Sequence, residues 1–260
     1  MRLAEVRDSL WACSRMNKLV VIELVRKKDL SVVVALVTVF VMGAIVFRMA
    51  GIKDEATATF VLNTGLTLVH YAVHTLIILL ACRQLPDEIE RRTIYPLLAR
   101  PVTRGSVVVS RVLAVAACGM ALWLALALLC WLVSPKRPGL DPALLGQVSI
   151  LAFASIGMAT SIAVLLSLLL SRYLAATFSL SLFFFSGVAL KAINQRAGGE
   201  FWGWLFTYVP DFSRLNLITR YTDGIPRMTF VDFAATGVYG AMVSAVCLYV
   251  AIVLFSRKSL

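Results

Sequence analysis

His70 and His74, the chain's two histidines, stand four residues apart inside an aliphatic run. On a helix that spacing places both rings on one face, as metal-binding HxxxH pairs require. No third ligand is evident nearby, and the glutamate of an HExxH motif is missing. Asn63 and Thr67 continue the same stripe toward the N-terminus, at helical spacing. Polar groups in hydrocarbon are costly and turn toward a bundle interior or a water-filled path. Asn63, Thr67, His70 and His74 therefore fit either the lining of a pathway or hydrogen bonding between helices.

Other chemistry is thinly supported. Glu88 and Glu90 are two residues apart, which puts them on different helix faces and argues against a paired acid and base. There is no serine nucleophile motif, Asp223-Gly224 stands alone, and no GxxxxGK[ST] loop is present to cradle phosphates. An integral membrane enzyme is thus a poor fit, and any nucleotide chemistry must come from another polypeptide.

The elements that hold these residues are dictated by composition. The chain has 260 residues, of which 60% are hydrophobic. A mean hydropathy of +0.87 would leave apolar surface that only lipid can cover. Six runs are long enough to cross about 30 Å of hydrocarbon: 30–49, 64–82, 106–133, 144–170, 174–193 and 233–255. Lipid offers backbone groups no water partner, so each should be a helix. Ser171-Arg172-Tyr173 alone separates the fourth run from the fifth, which makes those two antiparallel neighbours. The expected fold is all-α and integral to the membrane, with a six-span domain over 30–260. The five cysteines lack CxxC spacing and read as small packing residues, not as a disulfide or zinc framework.

A net charge of +11 invites a nucleic-acid reading, but the basic residues flank apolar runs and form no single patch. Most of the 25 lysines and arginines fall on one side if the N-terminus is inside, led by Arg26-Lys27-Lys28, while acids divide evenly. Both termini are therefore expected in the cytoplasm, at the plasma (inner) membrane. Residues 1–29 are rich in charge and unlike a cleavable signal peptide. Leu3, Val6, Leu10, Cys13 and Val25 suggest an amphipathic helix lying on the inner leaflet. Between spans five and six, Phe201, Trp202, Trp204, Phe206, Tyr208 and Phe212 suit the outer bilayer boundary. Asp211 or Ser213 can cap a short helix there that ends near Gly224, giving two short outer helices.

The stretch "DEIERRTIYPLLARPVTR", residues 87–104, breaks the apolar pattern. Pro86 is expected to end the second span's extension and Asp87 to cap a fresh helix, with Glu90 completing a capping box. Ile94, Leu97 and Leu98 make an apolar patch rimmed by charge, and Arg100-Pro101 stops the helix. Fixed apolar anchors inside a charged rim suit a docking element better than a plain solvated loop.

This stretch resembles the coupling segment of ABC transporter permeases of the type-two exporter class. The similarity rests on Glu88, Glu90, Thr93, Leu97, Leu98, Pro101, Val102, Thr103, Arg104 and Arg111, with departures at Arg92 and Pro96. "YVPDFSRLN", residues 208–216, resembles the outer segment such permeases place between their last two spans. The resemblance implies a unit of two permeases, identical or paralogous, and two ABC ATPase subunits that bind ATP and Mg. It also implies that Glu88, Glu90, Thr93, Ile94, Leu97, Leu98, Pro101 and Arg104 couple the ATPase to the spans, and that the second span lies near the route of the exported substrate. This chain would carry no cofactor and contact lipid and protein, not nucleic acid. A secondary transporter or passive scaffold is the competing class. Secondary carriers often show repeated halves and buried acids, and neither feature is seen in the six runs.

Overall fold

The computed structural model describes residues 55–90, 104–133, 142–196 and 209–257, with scattered positions between 35 and 45. The described residues are all helix and connection, with no strand. The helices described over their length begin with four long ones: α1 (Glu55–Glu90), α2 (Arg104–Val133), α3 (Pro142–Leu169) and α4 (Arg172–Arg196). A 3-10 turn (Phe212–Leu215) and a short α5 (Ile218–Thr222) precede the long α6 (Phe230–Arg257). Pro142 opens α3, where its missing N–H is not needed. α6 places Asp232 in its first turn and Arg257 in its last, each matched to the helix dipole.

Among the described residues, four helical segments are long and apolar enough to cross a membrane: Thr59–Asp87, Gly105–Leu132, Ala143–Leu169 and Phe230–Arg257. They correspond to the second, third, fourth and sixth runs of the sequence. The fifth run is helical within α4 but is not one of those four. Run 30–49, the amphipathic segment 1–29 and the aromatic cluster at 201–208 lie outside the described residues.

One expectation is overturned at Pro86. α1 does not stop there; it continues through Pro86 to Glu90. Asp87 is therefore an interior helical residue and not an N-cap, and no capping box forms with Glu90. A proline removes one backbone donor, a loss that packed neighbouring helices allow in a membrane bundle. With 36 residues, α1 is about 54 Å long at 1.5 Å per residue, well beyond the bilayer's apolar thickness.

α3 is the central post, packed against α1, α2, α4 and α6. Its Leu151, Ser155, Ile156, Met158 and Ala163 have no measurable exposure. Outward-facing Leu128 and Trp131 on α2, Phe178 and Phe185 on α4, and Met242 and Tyr249 on α6 present apolar surface suited to lipid. Small residues set the closest contacts. Gly119 of α2 faces Ile77 and Ile156, and Gly157 of α3 faces Ser244 of α6. The sequence suggests Gly157/Ser161 and Gly237/Ala241 as packing pairs. On α6, Gly240 makes the tighter approach, 3.2 Å from Ala154 Cβ for an added methyl, while Ala241 is exposed.

Candidate functional site

Two ends of the bundle carry the polar residues singled out by sequence. At one end, the last turn of α1 and the start of α4 come together. Arg172 of α4 places Nη1 3.4 Å from Asp87 Oδ1 and 3.9 Å from Glu90 Oε2. Residues 91–103 lie outside the described residues, and with them Thr93, Ile94, Leu97, Leu98 and Pro101, as do the side chains of Glu88 and Arg104. Arg111, part of the motif's similarity, is buried within the bundle at 6% exposure.

Toward the opposite end, the polar stripe of α1 divides. Asn63 and Thr67 are half-buried, with Asn63 Oδ1 lacking a hydrogen-bond partner among the described residues. His74 is fully enclosed: its Nδ1 lies 2.7 Å from the His70 carbonyl and its Nε2 lies 2.9 Å from Ser155 Oγ on α3. A carbonyl only accepts, so Nδ1 must donate, which leaves Nε2 of the neutral ring to accept from the Ser155 hydroxyl. The ring also stacks on Phe183 of α4, with centroids 4.6 Å apart and planes 5° apart. His74 thus joins three helices. Both its nitrogens are engaged by protein, and its ring lies 4.1 Å from that of His70, so the two are not splayed around a shared ligand position. Among the described residues, no three His, Cys, Asp or Glu side chains gather closely enough to hold a metal.

His70 has a different neighbourhood. It lines a cleft of about 200 Å³ with Tyr71, Phe183, Phe184, Ser186, Gly187, Phe212, Ser213, Asn216 and Thr219. The walls are aromatic, the rim carries hydroxyls and an amide, and among the described residues no carboxylate, lysine or arginine lines it. Tyr71 stacks on Phe184 at 5.4 Å, and Phe183 meets Phe212 edge-on at 5.3 Å. Such a cleft suits an uncharged, partly apolar group that also needs a few hydrogen bonds. Of the four stripe residues, only His70 reaches it. The aromatic wall escaped sequence reasoning, although Phe183-Phe184-Phe185 is a visible signal.

The cleft's roof is the segment after Pro210, and local hydrogen bonds explain its shape. Asp211 caps the 3-10 turn, by accepting from Ser213 N at 2.9 Å and Ser213 Oγ at 2.7 Å. It does not cap the helix ending near Gly224, as expected from sequence; that helix follows Leu217 without a side-chain cap. Phe212 N donates to Ser186 Oγ of α4, and Asp211 N donates to the Tyr239 hydroxyl of α6. α5 ends at Thr222 with Asp223 as its C-cap, and Gly224 follows with a left-handed φ of 67° that suits glycine. Further along, the Gln147 side-chain amide on α3 pairs both ways with the Met228 backbone, each bond 3.3 Å.

Gly187 is what lets the roof sit down. A methyl there would come within 2.7 Å of Ser213 Cβ. Gly187→Val is expected to lift the 209–219 segment and raise its amide hydrogen exchange about tenfold, with the remaining helices little changed. Unchanged exchange would mean that the contact does not hold the roof.

No curated protein matches the chain. The sequence profile described as ABC-2 family transporter protein matches residues 21–260, nearly the whole chain. Together with its long apolar helices, that match makes the chain a multi-pass membrane protein, an ABC-2 type permease belonging to the ABC-2 transporter family.

Proposed function

We propose that this chain is the membrane subunit of an ABC exporter, driven by ATP hydrolysed on separate ATPase subunits that dock on residues 87–104. In this reading six spans cross the inner membrane with both termini in the cytoplasm. Two permeases, alike or paralogous, pair with two ATPases, which hold the ATP and Mg. The observation that carries the reading is the family match over 21–260 combined with the Glu88–Arg111 motif. Two features of α1 support it. The helix is longer than the bilayer's apolar thickness, and residues 91–103 follow directly from its C-terminal end. Ile94, Leu97 and Leu98 then serve as apolar anchors, with Glu88, Glu90 and Arg104 at the rim. The cleft at His70 is the place where the spans meet the substrate, an uncharged or amphipathic molecule. Driving force reaches it only if ATPase closure favours one arrangement of the helices over another.

The docking test uses Glu88→Lys combined with Leu98→Asp, since Glu90 also faces Arg172. Loss of one central anchor and reversal of a rim charge should cut co-purifying ATPase by about tenfold or more. Thermal stability of the permease should not change. Undiminished ATPase recovery would refute docking at this segment.

A further inference from the structure

Arg172 opens α4, yet its acidic partners Asp87 and Glu90 lie more than 80 residues away at the end of α1. Asp87 and Glu90 are three residues apart, so they share one helix face and receive the same guanidinium nitrogen. Asp87 is mostly covered at 21% side-chain exposure, Arg172 is 40% exposed, and Glu90 is open to solvent at 64%. The Tyr173 ring lies 5.1 Å from the Arg172 guanidinium carbon and helps place it. Exposed ion pairs add little to stability. What this one does is fix a position: it ties the last turn before residues 91–103 to the first turn of α4.

That connection matters because the cleft has two walls on two different helices. His70 and Tyr71 belong to α1, whereas Phe183, Phe184, Ser186 and Gly187 belong to α4. Of these two helices the coupling stretch is covalently continuous with α1 only, its far end leading into α2. Along their length the two helices keep contact, with Cys82 Sγ 4.0 Å from Ser179 Oγ, and the His74–Phe183 and Tyr71–Phe184 stacks beyond it. At the docking end the junction is the ion cluster.

We propose that Arg172, clasped by Asp87 and Glu90, is a positioning residue that makes α4 follow α1 when the coupling stretch moves, so that both walls of the cleft shift together. This rests on the docking reading above. Glu90 then has a task beyond any contact with an ATPase, and Arg172 becomes a coupling residue outside the motif. A helix end held by charge can be pulled without distorting the core, where packed side chains resist continuous deformation.

The test uses the permease–ATPase complex purified as a whole and reconstituted in lipid nanodiscs, with hydrogen exchange measured before and after ADP–vanadate trapping. In the unaltered complex, trapping should change exchange at residues 87–90 and at the cleft roof, 209–219. Arg172→Gln should keep the ATPase bound and the change at 87–90, and should abolish at least half of the change at 209–219. The exchanged pair Asp87→Arg with Arg172→Asp should restore it. A roof response undiminished in Arg172→Gln overturns the proposal while leaving docking intact. So does a lost response that the charge exchange fails to rescue, since the pairing itself is then irrelevant. If the unaltered chain recovers no ATPase, the docking reading fails first and the coupling role falls with it.

Discussion

Replacing His74 by alanine should lower the stability of the purified permease by about 3 kcal/mol, the range for removing a large buried ring. The ring has no exposed surface, stacks on Phe183 and accepts from Ser155 on α3, so its loss opens a cavity among α1, α3 and α4. It also leaves the fully buried Ser155 hydroxyl without its inter-helix partner. His74→Phe separates the two contributions. That variant retains a stacking ring and gives up only the hydrogen bonds, and interhelical bonds in membranes are worth about 0.6–2 kcal/mol. Its expected loss is near 1 kcal/mol. The measurement is unfolding in mixed micelles, followed by helix signal against denaturant. An alanine variant as stable as the parent would show that the ring is not part of the core. The same series bears on function, because His70 and not His74 lines the cleft: a purely structural His74 predicts that His74→Phe keeps whatever binding the cleft supports.

Gly119→Ile should be nearly as damaging, at about 3 kcal/mol, the upper end of ordinary overpacking. An added Cβ at Gly119 would overlap Ile77 Cδ1, lie 2.8 Å from Ile77 Cγ1 and lie 3.3 Å from Ile156 Cγ2. Ile77 and Ile156 are themselves almost completely buried, and β-branched side chains have few rotamers with which to retreat. Gly119→Ala is expected to cost about 1 kcal/mol, since the Ile77 side chain must shift for a single methyl and alanine's preference for the helix offsets part of that cost. Trimming the opposing side chain gives the decisive comparison. Gly119→Ile with Ile77→Ala should recover at least half of the loss, a coupling that independent sites would not show. If Gly119→Ile alone is neutral, the three helices do not meet as closely as described.

The expected consequences differ in kind from those at the docking end. His74 and Gly119 variants should lose fold, whereas Glu88, Leu98 and Arg172 variants should lose partner or coupling while remaining folded. Core residues act through packing that lipid cannot replace. Surface charges act through where they hold a helix end.

By itself, the sequence determined that the chain is helical and built for lipid, roughly where its long helices lie, and that 87–104 is unlike the rest. Length and apolarity suffice for that, because a backbone in hydrocarbon has few ways to satisfy its own hydrogen bonds. The helix end near Gly224 was also legible, since it depends on residues a few positions apart, whereas Asp211 caps a separate 3-10 turn and not that helix. Only the tertiary structure decided the rest. α2, α3 and α6 are apolar on nearly every face, so no pattern distinguishes the side toward a neighbour from the side toward lipid. That is why Gly240, and not Ala241, makes the close contact on α6, and why one stripe on α1 divides into an enclosed His74 and a cleft-facing His70. It is also why Pro86 did not end α1: the neighbours packed around a helix, not its local propensity, settle whether a missing donor is tolerated. Asp87 found its partner across 85 residues of chain, a distance no local capping rule can see.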